Sequence, residues 1–251
     1  MKLSGYLITS DDHHIHYDQY KTGHYKAIII AHGFFNSKQA VLLGQLAEAL
    51  KNDYDIILFD FRGHGQSKGL FCWTSKEYLD LLRVVEFAAK SYESIGLIGF
   101  SLGAATGIIA ASKTSLIKSI VSISAPAEFE KIDYHFWRLD LKNDLLYNLF
   151  GEGKQGKGVR PGPFWYKKEK PLEIVKASMV PIFYIHGDAD WVIRPWHAEK
   201  LYQNSIALKR LNIIKNGPHA EYLFLDHKDE LLRSIRKWFH ETLAPQKLRS
   251  N

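Results

Sequence analysis

Ser101 stands in the segment Ile95-Gly96-Leu97-Ile98-Gly99-Phe100-Ser101-Leu102-Gly103-Ala104-Ala105, an apolar run closed by Gly-x-Ser-x-Gly and followed by small residues that suit a helix. The pattern predicts a strand, a sharp turn carrying an exposed hydroxyl, and a helix. Glycine is needed at 99 and 103, because a Cβ at either place would meet the neighbouring strand or helix across a strained backbone. A serine hydroxyl is a poor nucleophile near neutral pH. It needs a general base, a group that orients the base, and donors for the oxyanion that forms on attack. The motif alone would arise by chance in about one chain in ten of this size, and an ordinary turn with a solvated serine has the same spelling. The rest of the chain must supply the partners.

The elements that would position them alternate. Tyr6 to Ile8 and Ile15 to Tyr17 flank Asp11-Asp12 and read as an antiparallel hairpin. Ala27 to Ala31, Ile56 to Phe59, Ile95 to Phe100, Ile120 to Ile123 and Ile182 to Ile185 are short, nearly continuous apolar runs, as expected of parallel strands covered on both faces. Leu211 to Ile214 reads as a closing strand. Helical periodicity lies between them, in Leu42, Leu43, Leu46 and Leu50, in Leu79, Leu82, Val85 and Ala89, and in Leu231, Leu232, Ile235, Trp238, Phe239 and Leu243. This alternation predicts an α/β fold: a mostly parallel central sheet with right-handed crossovers and helices on both faces.

One stretch departs from it. Over about 126–178 the chain carries aromatic clusters, among them Phe136-Trp137 and Phe164-Trp165-Tyr166, and the glycine-rich run Gly151 to Gly158. We read it as a cap-like insertion of short helices within a single domain spanning 1–251. The glycine run lacks the Gly-Lys-Ser/Thr ending and the preceding strand of a phosphate-binding loop.

Five segments together carry a resemblance: Ala31-His32-Gly33-Phe34, Asp60 to Ser67, Gly99 to Gly103, Ile185-His186-Gly187-Asp188-Ala189-Asp190, and Gly217-Pro218-His219. The chain resembles the α/β-hydrolase superfamily, closest in pattern to its small serine esterases and acyl hydrolases, over about residues 26 to 240. The resemblance implies the order serine, acid, histidine, with Ser101 as nucleophile. Downstream of the acid stand His197, His219, His227 and His240. His219 follows the last strand in a loop tightened by Gly217 and Pro218, whereas the others sit in or beside predicted helices, where an outward, solvated ring is expected. His219 is therefore the expected base. The family pattern His-Gly-x-x-Asp puts the acid on Asp190 and leaves Asp188 a turn or capping role. The oxyanion donors implied are the N–H groups of Leu102 and Phe34. Arg62 to Ser67 matches the family's structural turn, so His64 is expected to be structural, and Cys72 lies away from the elbow.

The activity implied is hydrolysis of a small-molecule carboxylic ester through an acyl-enzyme, with no metal or organic cofactor. A thioesterase or amide hydrolase would use the same three groups, and a ligand-binding protein could keep the fold without the chemistry. Phe35, Trp137, Trp165 and Trp191 are candidates to line an apolar pocket over Ser101. Packing of the insertion onto the sheet, or self-association through it, would use the same rings.

Composition bounds the alternatives. With 251 residues, 46% hydrophobic and 24% charged, the chain is long enough for a large core and is neither disordered nor collagen-like. Its 33 basic and 27 acidic side chains give a net charge of +6. The basic residues carry no nucleic-acid-binding motif, so no nucleic-acid partner is expected. Two concentrations stand out, Lys154, Lys157, Arg160, Lys167, Lys168 and Lys170, and the tail Lys247 to Arg249; the first could attract the phosphates of an acyl-coenzyme A. No apolar run approaches the ~18 residues of a membrane span. The single cysteine and the polar N-terminus lead to an expected cytoplasmic location. His13, His14 and His16 lack a completing carboxylate or cysteine nearby and are expected on the surface of the hairpin.

Overall fold

The computed structural model describes residues 1–132 and 159–243. Eight strands form one sheet in the order β1-β2-β4-β3-β5-β6-β7-β8. These are β1 (Lys2–Ile8), β2 (His14–Tyr20), β3 (Lys26–Ala31), β4 (Asp55–Phe59), β5 (Ser94–Phe100), β6 (Ile117–Ile123), β7 (Ile182–Gly187) and β8 (Lys209–Ile214). The β1–β2 hairpin and the β2–β4 pairing are antiparallel, and every pairing from β4 to β8 is parallel.

The parallel strands need cover on both faces, and their alternating side chains show it. In β3, Ala27, Ile29 and Ala31 pack on one side with α2 (Glu77–Ala89), α3 (Leu102–Ala111) and α5 (Trp196–Asn204), while Ile28 and Ile30 pack on the other. That second face is covered by α1 (Val41–Leu50) and α7 (Lys228–Thr242), through Leu43, Leu46, Leu231, Ile235 and Trp238. All ten residues of α3 are buried, which its Ala- and Gly-rich composition permits against the centre of the sheet. The short helices α4 (Pro171–Val175) and α6 (Leu223–Asp226) complete the α-helices among the described residues, and Phe129–Lys131 and Ala220–Tyr222 are single 3-10 turns.

The register brings the site together. Ala31 pairs with Gly99, Phe100 with Ile123, Ile123 with Ile185, and Gly187 with Ile214, so the C-terminal ends of β3, β5, β6, β7 and β8 lie along one edge. The residues following those ends are brought close in space although they lie far apart in the chain.

Of the three N-terminal histidines, one differs from expectation. His16 is buried, stacked edge-on against Tyr6 at 4.6 Å, because β2 is an interior strand whose inward side is covered.

Candidate active site

Ser101 sits between β5 and α3 at φ 49° and ψ −108°, a conformation unfavourable for a residue with a Cβ. The surroundings hold it there. Its N–H donates to the Ile123 carbonyl at 2.8 Å, and its own carbonyl accepts the N–H groups of Ala104 and Ala105, both at 3.1 Å. The two glycines of the motif are required by close approach. A Cβ on Gly99 would strike the backbone of Ala104, and one on Gly103 would strike the carbonyls of Ala31 and His32. Leu102 opens α3, so its N–H is a first-turn donor without an intrahelical acceptor.

Asp190 lies three residues past β7 and is fully buried. Its Oδ1 accepts the N–H groups of Val192 (2.9 Å) and Ile193 (2.8 Å). Its Oδ2 accepts Nδ1–H of His219 at 2.7 Å and faces Nε2 of His186 at 3.2 Å. Burial by itself would push this carboxyl up, but the neighbouring His219, reinforced by the hydrogen bonds from His186 and His219, holds it well below the usual carboxylate range. It is a charged group with its acceptor sites filled.

These contacts fix both imidazoles. A carboxylate can only accept, so Nδ1 of His219 carries a proton, and in the neutral ring Nε2 is the acceptor nitrogen. Nε2 of His186 also donates to the Ile193 carbonyl at 2.7 Å, so that ring clamps the acid loop from below. The loop carrying His219 is pressed onto the loop carrying Asp190. Ala189 N–H donates to the Gly217 carbonyl at 3.1 Å, and a Cβ on Gly187 would overlap that same carbonyl. Ala220, next to His219, donates its N–H to Ser124 Oγ at 3.0 Å. Asp188 accepts the Asn216 N–H at 2.6 Å, a turn contact.

The loop after β3 is fixed by His32. Nδ1–H donates to the Gly33 carbonyl at 2.7 Å, and Nε2 accepts the Phe61 N–H at 3.0 Å. Both contacts together require the neutral ring, and burial lowers its pKa to about 4. His64 is buried, packed 5.0 Å from both His32 and Phe71, and donates from Nδ1 to the Arg62 carbonyl at 3.1 Å. His197 is not the outward, solvated ring expected of its helix. It is buried and stacked on Trp196 at 3.6 Å, with Nδ1 accepting the Ala127 N–H at 3.1 Å.

A cavity of about 630 Å³ opens over Ser101 and Leu102, bounded by Val192 and Ile193 of the acid loop and by Phe34. Its remaining apolar wall is Phe71, Trp73, Phe129, Ile132, Phe164 and Tyr166. Of the rings expected to line it, Trp137 lies outside the described residues. Phe35 takes a left-handed backbone (φ 58°) and packs on Phe34 rather than on the cavity. Trp165 is 72% exposed and outside the lining, to which its neighbours Phe164 and Tyr166, themselves exposed, contribute. Trp191 is also outside the lining, which the acid loop reaches through Val192 and Ile193.

The Phe71–Thr74 wall was not anticipated. It forms because the chain returning at 159–162 zips onto it: Phe71 N–H donates to the Arg160 carbonyl (2.9 Å), Gly162 N–H to the Phe71 carbonyl (2.9 Å), and Trp73 Nε1–H to the Gly162 carbonyl (3.0 Å). The Phe71-Cys72-Trp73 cluster directly after the Arg62 to Ser67 turn was the available signal.

A strained serine turn at the end of a central parallel strand, beside a buried Asp–His pair hung from the next strands, is the architecture of the α/β hydrolases. The family description of the alpha/beta hydrolase fold matches residues 26–143, and the chain has that fold. The serine hydrolase BPHL of Mus musculus is 24% identical over 247 residues, covering 88% of this chain and 82% of that protein. The uncharacterized protein YfhR of Escherichia coli K12 is 26% identical over 230 residues, covering 87% and 72%. Among solved structures, the Pyrococcus furiosus esterase Pf2001 superposes with a TM-score of 0.81 at 22% identity over 97% of this chain and 92% of that one.

Proposed function

We propose that the protein is a serine hydrolase of small carboxylic esters, with Ser101 as nucleophile, His219 as general base and Asp190 as the group that orients it. The observation that carries this reading is the Asp190–His219 hydrogen bond of 2.7 Å, which leaves Nε2 of His219 as a proton acceptor. Ser101 Oγ attacks the ester carbonyl while Nε2 takes its proton, and a C–O bond forms as the carbonyl electron pair moves to oxygen. The N–H groups of Leu102 and Phe34 stabilise that oxyanion. Collapse expels the alcohol, which takes the proton from Nε2, and leaves an acyl-Ser101. Water then repeats the sequence: Nε2 takes its proton, the acid departs, and Ser101 is restored.

The acid and alcohol portions of the substrate are held by the aromatic cavity, and the segment over about 126–178 acts as a cap of the same domain. The support for a small organic substrate is the cavity's size, within the ~300–1,000 Å³ of small-molecule sites, and its aromatic lining.

The test is hydrolysis of p-nitrophenyl esters from acetate to octanoate, paired with covalent labelling by a fluorophosphonate. Ser101→Ala is expected to lose labelling and to lower kcat by about 10³-fold or more. Undiminished turnover in Ser101→Ala would refute the assignment. Acyl-CoA hydrolysed in preference to every ester would move the substrate class to thioesters.

A further inference from the structure

The rim of the cavity is electrically unbalanced. Among the described residues, Lys167, Lys168 and Lys170 line it together with a single carboxylate, Glu130. Lys170 is paired, lying 3.6 Å from Glu130 and 3.8 Å from Glu128. The other nearby acids are also engaged: Glu128 with Lys131 at 2.7 Å, and Glu169 with Lys113 at 2.7 Å. Among the described residues no carboxylate pairs with Lys167 or Lys168. Among the described residues, two ammonium groups without a carboxylate partner therefore border a chamber lined largely by aromatic and aliphatic side chains.

Resting on the ester-hydrolase reading, we infer that this site selects esters bearing an anionic group, a carboxylate or phosphate, separated from the scissile carbonyl by an apolar segment. The apolar part fills the space lined by Phe34, Phe71, Trp73, Phe164 and Tyr166. The anion then emerges beside Lys167 and Lys168, which directly follow Tyr166 in the chain. A neutral ester uses the aromatic walls but leaves both ammonium groups to solvent. The local geometry favours a fixed platform: Tyr166 is covered by Lys76, whose Nζ lies 5.1 Å from the ring centroid, so the ring stays turned to the cavity while the lysines at 167 and 168 serve the ligand. The excess charge also raises the local concentration of an anionic substrate and its rate of encounter.

The experiment compares two matched pairs of esters. The first is p-nitrophenyl hydrogen adipate against p-nitrophenyl hexanoate, with the anion on the acyl side. The second is 4-(butyryloxy)phenylacetate against 4-methylphenyl butyrate, with the anion on the alcohol side. In at least one pair kcat/KM is expected to favour the anionic ester by about tenfold at low salt, and to lose most of that ratio at 0.5 M NaCl. In Lys167→Ala/Lys168→Ala the ratio is expected to collapse towards one. Equal or better use of the neutral ester in both pairs, or an unchanged ratio in the double variant, would overturn the inference while leaving ester hydrolysis intact.

If none of the four esters is turned over, the hydrolase reading fails separately, and binding still decides the inference. Titration calorimetry of 6-anilino-6-oxohexanoate and of hexananilide into the Ser101→Ala protein is expected to show the anion binding about tenfold more tightly. That preference should vanish with both lysines removed. Equal affinities would overturn it.

Discussion

Asp190→Asn keeps the size and shape of the acid side chain but replaces an acceptor-only group by one oxygen and one NH₂. In the native site four donors converge on the carboxylate: the N–H groups of Val192 and Ile193, Nδ1–H of His219 and Nε2–H of His186. An amide can satisfy only one side of that set and presents N–H to N–H on the other. If its oxygen stays with the backbone pair, its NH₂ faces His219, which answers by moving its proton to Nε2 and ceases to be a base. If it turns over, two buried backbone donors are orphaned, at about 1–3 kcal/mol each. The expected result is a kcat lowered by about 10³–10⁴-fold and a stability lowered by about 3 kcal/mol near neutral pH.

The pH dependence adds a signature that a generic packing defect lacks. The carboxyl of Asp190 is depressed by folding, so its contribution is present above the unfolded value near pH 4 and is lost as pH falls further towards the folded value. Wild type and variant should therefore differ by a constant amount above about pH 4 and converge on acidification. Ester hydrolysis by stopped assay and urea unfolding from pH 3 to 8 measure both quantities. A variant within tenfold of wild-type kcat, or a stability gap that widens in acid, would refute the reasoning.

Other outcomes follow from the same contacts. His186→Phe removes a donor from both Asp190 and the Ile193 carbonyl; we expect about 1–3 kcal/mol of destabilisation and about tenfold lower kcat with KM nearly unchanged, whereas a change confined to KM would count against a positioning role. Trp73→Ala opens the aromatic wall and should lower kcat/KM for aryl esters about tenfold more than for acetate; equal loss for both would contradict its place in the lining. Glu77 is buried beside Asp80, and burial first, then the Asp80 charge, raises its pKa to about 7. Its protonated form thus favours folding at acid pH, and that advantage is lost as pH rises from the unfolded value near 4 through 7. Glu77→Gln should accordingly gain on wild type between pH 5 and 8 in thermal unfolding; a gain on acidification would have the wrong sign.

Much of the fold was legible because parallel strands covered on both faces must be continuously apolar, and the runs at Ala27, Ile56, Ile95, Ile120 and Ile182 all became strands. The glycine pair at 99 and 103 was legible for the same kind of reason, since close backbone approach admits no other residue. The cavity was far less so. Which of Phe164, Trp165 and Tyr166 turns inward depends on how the segment at 159–162 pairs with Phe71, a contact between positions some 90 apart that leaves no periodicity in either stretch. His186 entered only as the first residue of the His-Gly-x-x-Asp pattern and His197 as a solvated helix residue, yet both are buried and make tertiary hydrogen bonds to Ile193 and Ala127.

The contact between Gly187 and Gly217 has a mechanical consequence. It welds the segments carrying Asp190 and His219 into one body, with no room for even a methyl group between them. Opening or narrowing of the chamber must then come from the opposite bank, where Phe71–Thr74 and the returning chain at 159–162 are joined by a handful of hydrogen bonds. Substrate range can drift on that bank by substitution or insertion without disturbing proton transfer, while Gly187→Ala, remote from any bound ester, should cost about 10²-fold in turnover. The division separates what the protein accepts from what it does to it.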